Sequence, residues 1–334
     1  MNAAVDERAL LQRLMAGTVS GDALAREFNL TRAGIWKRIA ALRDAGVAVE
    51  AQAGRGYRLA APLDLLDADA IAAAILGPAR AALDALEVAW SIDSTNSELL
   101  RRATPAHGAA ALLAERQTGG RGRLGRSWAS PLAAHIYLSV ARRFGDGLAR
   151  LGGLSLVAGI ATAEALHGLG FASVRLKWPN DLVVVDTAGL RKLGGLLVEG
   201  GGEHAGPVRA VIGLGLNVRM PDTAAQAIDQ PWCDLATLAA PATTPARNEV
   251  AAAVLGHLLP ALDEFDAVGL GRFLPRYAAL DALHGETVEL RGPAGIERGT
   301  VLGLAEDGGL RVQLASGAER RVHSGEVSVR RSAT

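Results

Sequence analysis

Between residues 7 and 43, apolar positions recur every three to four residues in three blocks. That is the spacing of helices that each bury one face. Leu10, Leu11 and Leu14 fall on one face of the first block. Ser20 is placed to cap a second, with Leu24, Ala25 and Phe28 inward. Asn29-Leu30 makes the turn, and Thr31 is placed to cap a third helix carrying Ile35, Ile39 and Leu42. Gly46 stops that helix. Val47 and Val49 then follow a period of two, Gly54-Arg55-Gly56 turns, and Tyr57 and Leu59 resume the period. This is the pattern of a hairpin. Three helices and a hairpin predict a winged helix-turn-helix over residues 1–62, with Ala60-Ala61-Pro62 as its exit.

The pattern changes after residue 62. Helical spacing returns at 68–76, 94–103, 149–168 and 247–266. Strand-like runs fall at 86–91, 109–115, 133–141, 173–178, 181–186, 192–199 and 207–219. Residues 63–283 therefore read as one domain of the α+β class, with helices on one side of a mostly antiparallel central mixed sheet. Residues 220–246, rich in Ala, Pro and Thr, read as a surface excursion. Residues 284–334 carry short β segments at Val288–Leu290, Thr300–Leu304, Leu310–Leu314 and Val327–Val329. Four or five short strands in so little chain predict a small β-barrel. No internal repeat is visible.

Charge refines this picture. The 334 residues hold 35 basic and 35 acidic side chains. Residues 1–62 hold nine Lys/Arg against six Asp/Glu, a net of +3, while residues 63–283 hold 19 against 22. A small basic unit on a mildly acidic body fits local contact with nucleic acid. The longest uncharged apolar run, Leu151 to Ala163, is shorter than the roughly 20 residues a bilayer needs. It reads as a buried helix, and no membrane partner is expected. Asp6 and Glu7 precede a short apolar stretch, which is no signal peptide. Cys233 is the single cysteine, so no intrachain disulfide can form, and the expected compartment is the reducing cytoplasm.

Four segments carry candidate chemistry. In Gly119-Gly120-Arg121-Gly122-Arg123-Leu124-Gly125-Arg126-Ser127-Trp128, glycines allow close approach to a ligand and arginines suit phosphate or carboxylate. A plain surface loop is the alternative. The segment formally matches a dinucleotide fingerprint, but Pro131 forbids the helix that motif must open. Lys177-Trp178-Pro179-Asn180-Asp181 ends a strand and places a cation, an aromatic ring and two oxygen-bearing groups at one rim, unless it is an ordinary turn. In Arg191-Lys192-Leu193-Gly194-Gly195-Leu196-Leu197-Val198-Glu199, Lys192 and Gly194 are expected on one strand face. Gly213-Leu214-Gly215-Leu216-Asn217 repeats glycines at period two, which suits a ligand against the backbone. Only Lys37, Lys177 and Lys192 are lysines, so a retained lysine at such a site is notable. No Gly-Lys pair, and so no Walker A loop, occurs. The seven histidines lie far apart, and no metal site is expected.

In this order the motifs resemble the bifunctional biotin–protein ligase/biotin-operon repressor family. The resemblance runs from Thr31–Lys37 through Asp93-Ser94-Thr95-Asn96, the Gly-Arg-Gly-Arg loop and the three strand motifs to Ser324–Arg330. It implies a class II synthetase-like catalytic domain and an SH3-like C-terminal barrel. It implies two steps: biotin and ATP give biotinyl-5′-AMP and pyrophosphate, and a lysine of the biotin carboxyl carrier protein then takes the biotinyl group. Ser94, Thr95, Asn96, Gln117, Gly120, Arg121 and Lys192 match biotin-side positions. Gly194, Gly195, Gly213 and Gly215 would line the pocket with backbone. Arg123, Trp128, Asn180 and Asn217 match nucleotide-side positions, with Arg330 reaching the triphosphate. Lys192 and Arg123 are the expected catalytic cations, since two anions must meet, and Mg²⁺ should accompany ATP. Thr31, Arg32, Trp36, Lys37 and Arg55 are the expected operator-DNA contacts, made by a homodimer when adenylate is bound. Two departures stand out. The 182–191 hairpin is longer than in short-looped members. Trp36 is bulkier than the small polar residue usual there. A DNA-binding ligand sensor without ligase activity is the competing reading.

Overall fold

The computed structural model describes residues 3–145, 151–187, 189–202, 208–239, 244–292, 295–324 and 328–331. The N-terminal unit consists of α1 (Ala3–Met15), α2 (Gly21–Glu27), α3 (Arg32–Asp44), β1 (Val49–Gln52) and β2 (Gly56–Leu59). Ser20 and Thr31 cap α2 and α3, accepting from the Ala23 and Gly34 amides at 3.1 and 3.0 Å. The apolar stripes close on one another, burying Leu10, Leu11, Leu14, Leu24, Ile35, Ile39 and Leu42. β1 and β2 pair antiparallel from Val49↔Leu59. Gly56 is required at the turn: its φ is +111°, and a Cβ there would lie 2.1 Å from the Val19 carbonyl oxygen.

The central unit runs α4 (Ala68–Ala74), α5 (Gly77–Ala81), β3 (Leu83–Ala89), α6 (Thr95–Arg101), β4 (Ala109–Ala114), β5 (Ile136–Phe144), α7 (Leu154–Gly168), β6 (Val174–Lys177), β7 (Asp181–Asp186), β8 (Gly189–Gly202), β9 (Val208–Leu216), α8 (Asp222–Ala225), α9 (Leu235–Leu238), α10 (Arg247–Val268) and α11 (Leu274–Leu280). The strand order is β3-β4-β5-β9-β8-β7-β6. Only β3–β4 is parallel. Leu138, Val140, Ile212, Leu214 and Leu196 point to one face and bury with α7 and α10 in the main core. The opposite face is not bare. Leu99 of α6 packs there on Leu112, Ala141 and Val211. Helices therefore cover both faces, α6 only partly, and the uncovered remainder of its face becomes the floor of a cleft.

Residues 231–235 are no free excursion. Trp232 bridges to Lys192, the Cys233 amide donates to the Lys192 carbonyl at 2.9 Å, and Cys233, Asp234 and Leu235 are buried. The C-terminal unit holds β10 (Thr287–Gly292), β11 (Gly295–Leu304), β12 (Leu310–Leu314), β13 (Glu319–Val322) and β14 (Ser328–Arg331), in the antiparallel order β13-β12-β11-β10-β14. β13 escaped the sequence pattern because Glu-Arg-Arg-Val offers one apolar residue. This sheet is pinned to the central unit where Trp178 Nε1 donates to the Gly308 carbonyl at 3.0 Å.

A buried polar node ties the segment after the N-terminal unit to the central sheet. Arg247, 2% exposed, donates to Glu115 Oε2 at 2.8 Å, to the His135 carbonyl at 3.1 Å and to the Asp64 carbonyl at 2.8 Å. Glu115 Oε1 takes the Leu66 amide at 2.6 Å. Breaking such a pair leaves an uncompensated buried charge, at a cost of about 3–5 kcal/mol. Arg247→Ala is therefore expected to lower the unfolding free energy by about that amount, read from urea midpoints. Arg247→Met with Glu115→Leu should cost much less, because no lone charge remains.

Candidate active site

The cleft is built on three adjacent strands in register. Across the sheet, Tyr137 faces Gly215, Gly215 faces Gly195, and Gly195 faces Asp181, which itself faces Lys177. The next row runs Leu112, Ser139, Gly213, Leu197. The glycines are there because neighbours take the space of a side chain. A Cβ on Gly215 would lie 2.5 Å from the Trp128 indole, and one on Gly213 would lie 2.3 Å from Asn96 Oδ1. A bulge between Leu182 and Val183 shifts the pairing of β8. It corrects the expected face of Gly194. That residue points to Leu182 and Leu216, while Gly195 lies against Lys192.

The expected side chains other than Arg330 can be placed. Ser94 caps α6, accepting from the Ser97 amide at 3.4 Å. The Thr95 amide donates to Gln117 Oε1 at 2.9 Å, and Ser139 Oγ donates to Asn96 Oδ1 at 2.6 Å. The glycine-rich segment forms a folded-back loop: Arg121 and Ser127 bridge, and the Trp128 amide donates to the Gly120 carbonyl at 2.9 Å. A Cβ on Gly120 would meet Ser130 Oγ at 2.6 Å, so the returning chain needs glycine there. Only a single 3₁₀ turn, Arg123–Gly125, occurs in it. Arg123 Nη1 donates to Asn180 Oδ1 at 3.2 Å, and Asn180 Nδ2 donates to the Leu196 carbonyl at 2.6 Å. Burial lowers the Arg123 pKa, and Asp181 opposes that. Asn217 is buried and donates to the Cys233 carbonyl at 3.0 Å.

Lys192 Nζ sits 2.7 Å from Asp181 Oδ1 and 5.4 Å from the Trp128 ring centroid. Lys177 Nζ lies 3.9 Å from Asp181 Oδ2. One carboxylate thus stands between two of the three lysines of the chain. These residues line a cleft of about 1690 Å³ that reaches Gly285–Thr287 and Arg298 of the C-terminal unit. The cleft joins Ser94, Thr95, Asn96, Gln117, Arg121, Arg123, Trp128, Asn180, Lys192, Gly195, Gly213, Gly215 and Asn217; Gly120 and Gly194 stand behind its wall. The Arg330 side chain and residues 325–327 lie outside the described residues. Ser139, Glu199 and Trp232 were not among the expected site residues, and Asp181 was expected only as an oxygen-bearing group of the rim. Ser139 was detectable as a small polar residue set among apolar ones in Ile136–Ala141, and Trp232 had no local signal. Cys233 is buried, and that burial pushes its thiol up to about 11, away from the thiolate form a nucleophile needs.

On the N-terminal unit, Trp36, at 58% exposure, is on the outer face of α3 with Lys37, and Arg55 is exposed at the hairpin turn. Arg32 is exposed and forks onto Asp22. Thr31 accepts from the Gly34 amide as the cap of α3. Among the described residues no three His, Cys, Asp or Glu side chains gather as a metal site. No described helix is long and apolar enough to cross a membrane.

Residues 88–217 match the biotin/lipoate A/B protein ligase family, residues 7–58 an HTH domain, and residues 283–330 the biotin protein ligase C-terminal domain. The chain is 43% identical to the bifunctional ligase/repressor BirA of Salmonella typhimurium, over 71% of this chain and 70% of that one. It is 41% identical to the protein of the same description from Escherichia coli, over 72% and 70%. A solved biotin protein ligase from Aquifex aeolicus, in complex with biotin and ATP, superposes with TM-score 0.61 at 29% identity, over 75% of this chain and 100% of that one. With relatives this similar across more than two thirds of each chain, the protein belongs to the biotin protein ligases, among their bifunctional ligase/repressor members.

Proposed function

We propose that this ligase/repressor uses the one cleft to make biotinyl-5′-AMP from biotin and ATP and to pass the biotinyl group to a lysine of the biotin carboxyl carrier protein. The observation that carries the assignment is the glycine face of β8 and β9, framed by Lys192, Arg123 and Trp128 in one continuous cleft. A single small ligand needs about 300–1,000 Å³, so the cleft has room for two.

Biotin lies over Gly195 and beside Asn96, near Thr95, Gln117 and Arg121. The nucleotide lies toward Trp128, Asn180 and Asn217. The biotin carboxylate attacks the α-phosphate, and pyrophosphate leaves. Two anions must approach, so fixed cations at the meeting point lower the barrier. Lys192 is that cation on the biotin side and Arg123 on the phosphate side. Asp181, 2.7 Å from Lys192, keeps the ammonium oriented toward Gly195 until the ligands enter. Mg²⁺ would enter on the triphosphate, since the described carboxylates offer no cluster of their own; it would neutralise phosphate charge. In the second step the carrier lysine attacks the carbonyl carbon of the mixed anhydride, and AMP leaves.

The N-terminal unit presents α3 to the major groove and the Arg55 turn to the backbone. Trp36 gives that helix an apolar reading surface, suited to a thymine methyl. One such unit makes few contacts, so operator binding requires two half-sites and a homodimer. Ordering of the glycine-rich loop over adenylate creates the dimer face.

Lys192→Ala is expected to slow biotin-dependent pyrophosphate release by about 10²–10³ while leaving the protein folded; near-normal release would overturn its role. Arg123→Gly is expected to leak adenylate. Bystander lysines in solution would then be labelled, and retention equal to wild type would remove Arg123 as the phosphate clamp. Sedimentation is expected to show dimer strengthened by biotin with ATP, and gel shifts to show a palindromic operator bound more weakly by Trp36→Ala. A ligand-independent oligomer with only salt-sensitive nonspecific DNA binding would leave the ligase and remove the repressor reading.

A further inference from the structure

The glycine-rich loop is tied down at two arginines. Arg123 reaches Asn180, a neutral partner. Arg121 reaches Glu199, a charged one, on β8 just beyond the cleft floor at Leu197. Arg121 Nη2 donates to Glu199 Oε2 at 3.1 Å and to Ser97 Oγ at 2.9 Å. Glu199 Oε2 also accepts from Asn96 Nδ2 at 2.9 Å. The same carboxylate therefore grips the loop and the first turn of α6. Asn96 is buried over Gly213, with Ser139 fixing its other end. The Glu199 side chain is 26% exposed, and Arg121 is 44% exposed. The loop end of the pair is thus the one free to leave.

We propose that Glu199 is a positioning residue: its ion pair with Arg121 latches the glycine-rich loop over the biotin end of the cleft and sets how long biotin and the adenylate stay bound. This rests on the reading of that loop as the cover of the site. Glu199 touches no reacting atom. A latch governs ligand exchange and leaves the chemical step at saturation alone.

The test uses the full chain and its Glu199→Gln variant, with biotin and ATP as probes. The glutamine keeps the shape but removes the charge that holds the Arg121 guanidinium. Expected are a rise of about tenfold in KM for biotin and in the rate of adenylate release. The single-turnover rate of pyrophosphate release at saturating biotin and ATP should stay within about twofold, and the melting temperature should not move. Trypsin, which cleaves after Arg121, Arg123 and Arg126, should be held off the wild-type loop by biotin with ATP but not off the variant. Arg121→Ala combined with Glu199→Gln should release adenylate no faster than Arg121→Ala alone, because the latch acts only through that arginine. Glu199→Asp, which keeps the charge on a shorter arm, should fall between wild type and glutamine. It reads the same effect if the glutamine variant fails to fold. Wild-type KM and release in the variants, or additive effects in the pair, overturn the latch. Equal protection of wild type and variant from trypsin overturns the latch alone. No protection of the wild type overturns the loop reading and the latch with it.

Discussion

The site depends on close approach to a sheet. β5, β9 and β8 pair in a register that sets Gly213 beside Leu197 and Gly215 beside Gly195. With no side chains there, the indole of Trp128 and the amide of Asn96 come down onto the strands. Strands tolerate glycine poorly, since it packs nothing and loses more entropy on folding. The sheet accepts that cost at its centre because α7 and α10 bury the other face almost completely. One face carries the stability and the other, partly stripped, carries the chemistry.

Electrostatics at the rim follow from the same register. β7 meets β8 so that Asp181 falls opposite Gly195, and Lys192 reaches back across the bulge to it. The pair is about four-fifths covered on both sides. A carboxylate in that setting keeps a nearby ammonium aimed. It also gives an incoming anion a competitor at close range. The glycine-rich loop repeats the arrangement at larger scale, with arginines satisfied by Glu199 and Asn180. The cations that a ligand needs are thus already partnered, and their desolvation is met before binding.

Both end units of the chain are joined to the unit that carries this site. The Leu132 amide donates to the Ala45 carbonyl at the end of α3 at 2.7 Å, close after the loop. Trp90 Nε1 donates to Glu7 of α1 at 2.8 Å. Arg247 gathers the linking segment onto β4 in the interior. On the other side, Glu286 and Arg298 bring the C-terminal sheet to the mouth of the same cleft.

Most of this molecule was legible in its sequence, for local reasons. The caps at Ser20 and Thr31, the stripes of α1–α3 and the glycine turn of the hairpin are set by residues a few positions apart. The motifs around Lys177, Lys192 and Gly213 announced themselves because glycine in a strand is costly without a use and lysine is rare in this chain. What the sequence could not decide was which face each residue takes and what crosses to meet it. The bulge at Leu193 sent Gly194 to the core and Gly195 to the cleft. Trp232 reached Lys192 from 40 residues away, and Ser139 and Glu199 found Asn96 only when distant strands and α6 packed. Periodicity fixes the spacing of side chains within one element. Register, bulges and long-range pairing, which set the distances between elements, exist only once the chain has closed on itself.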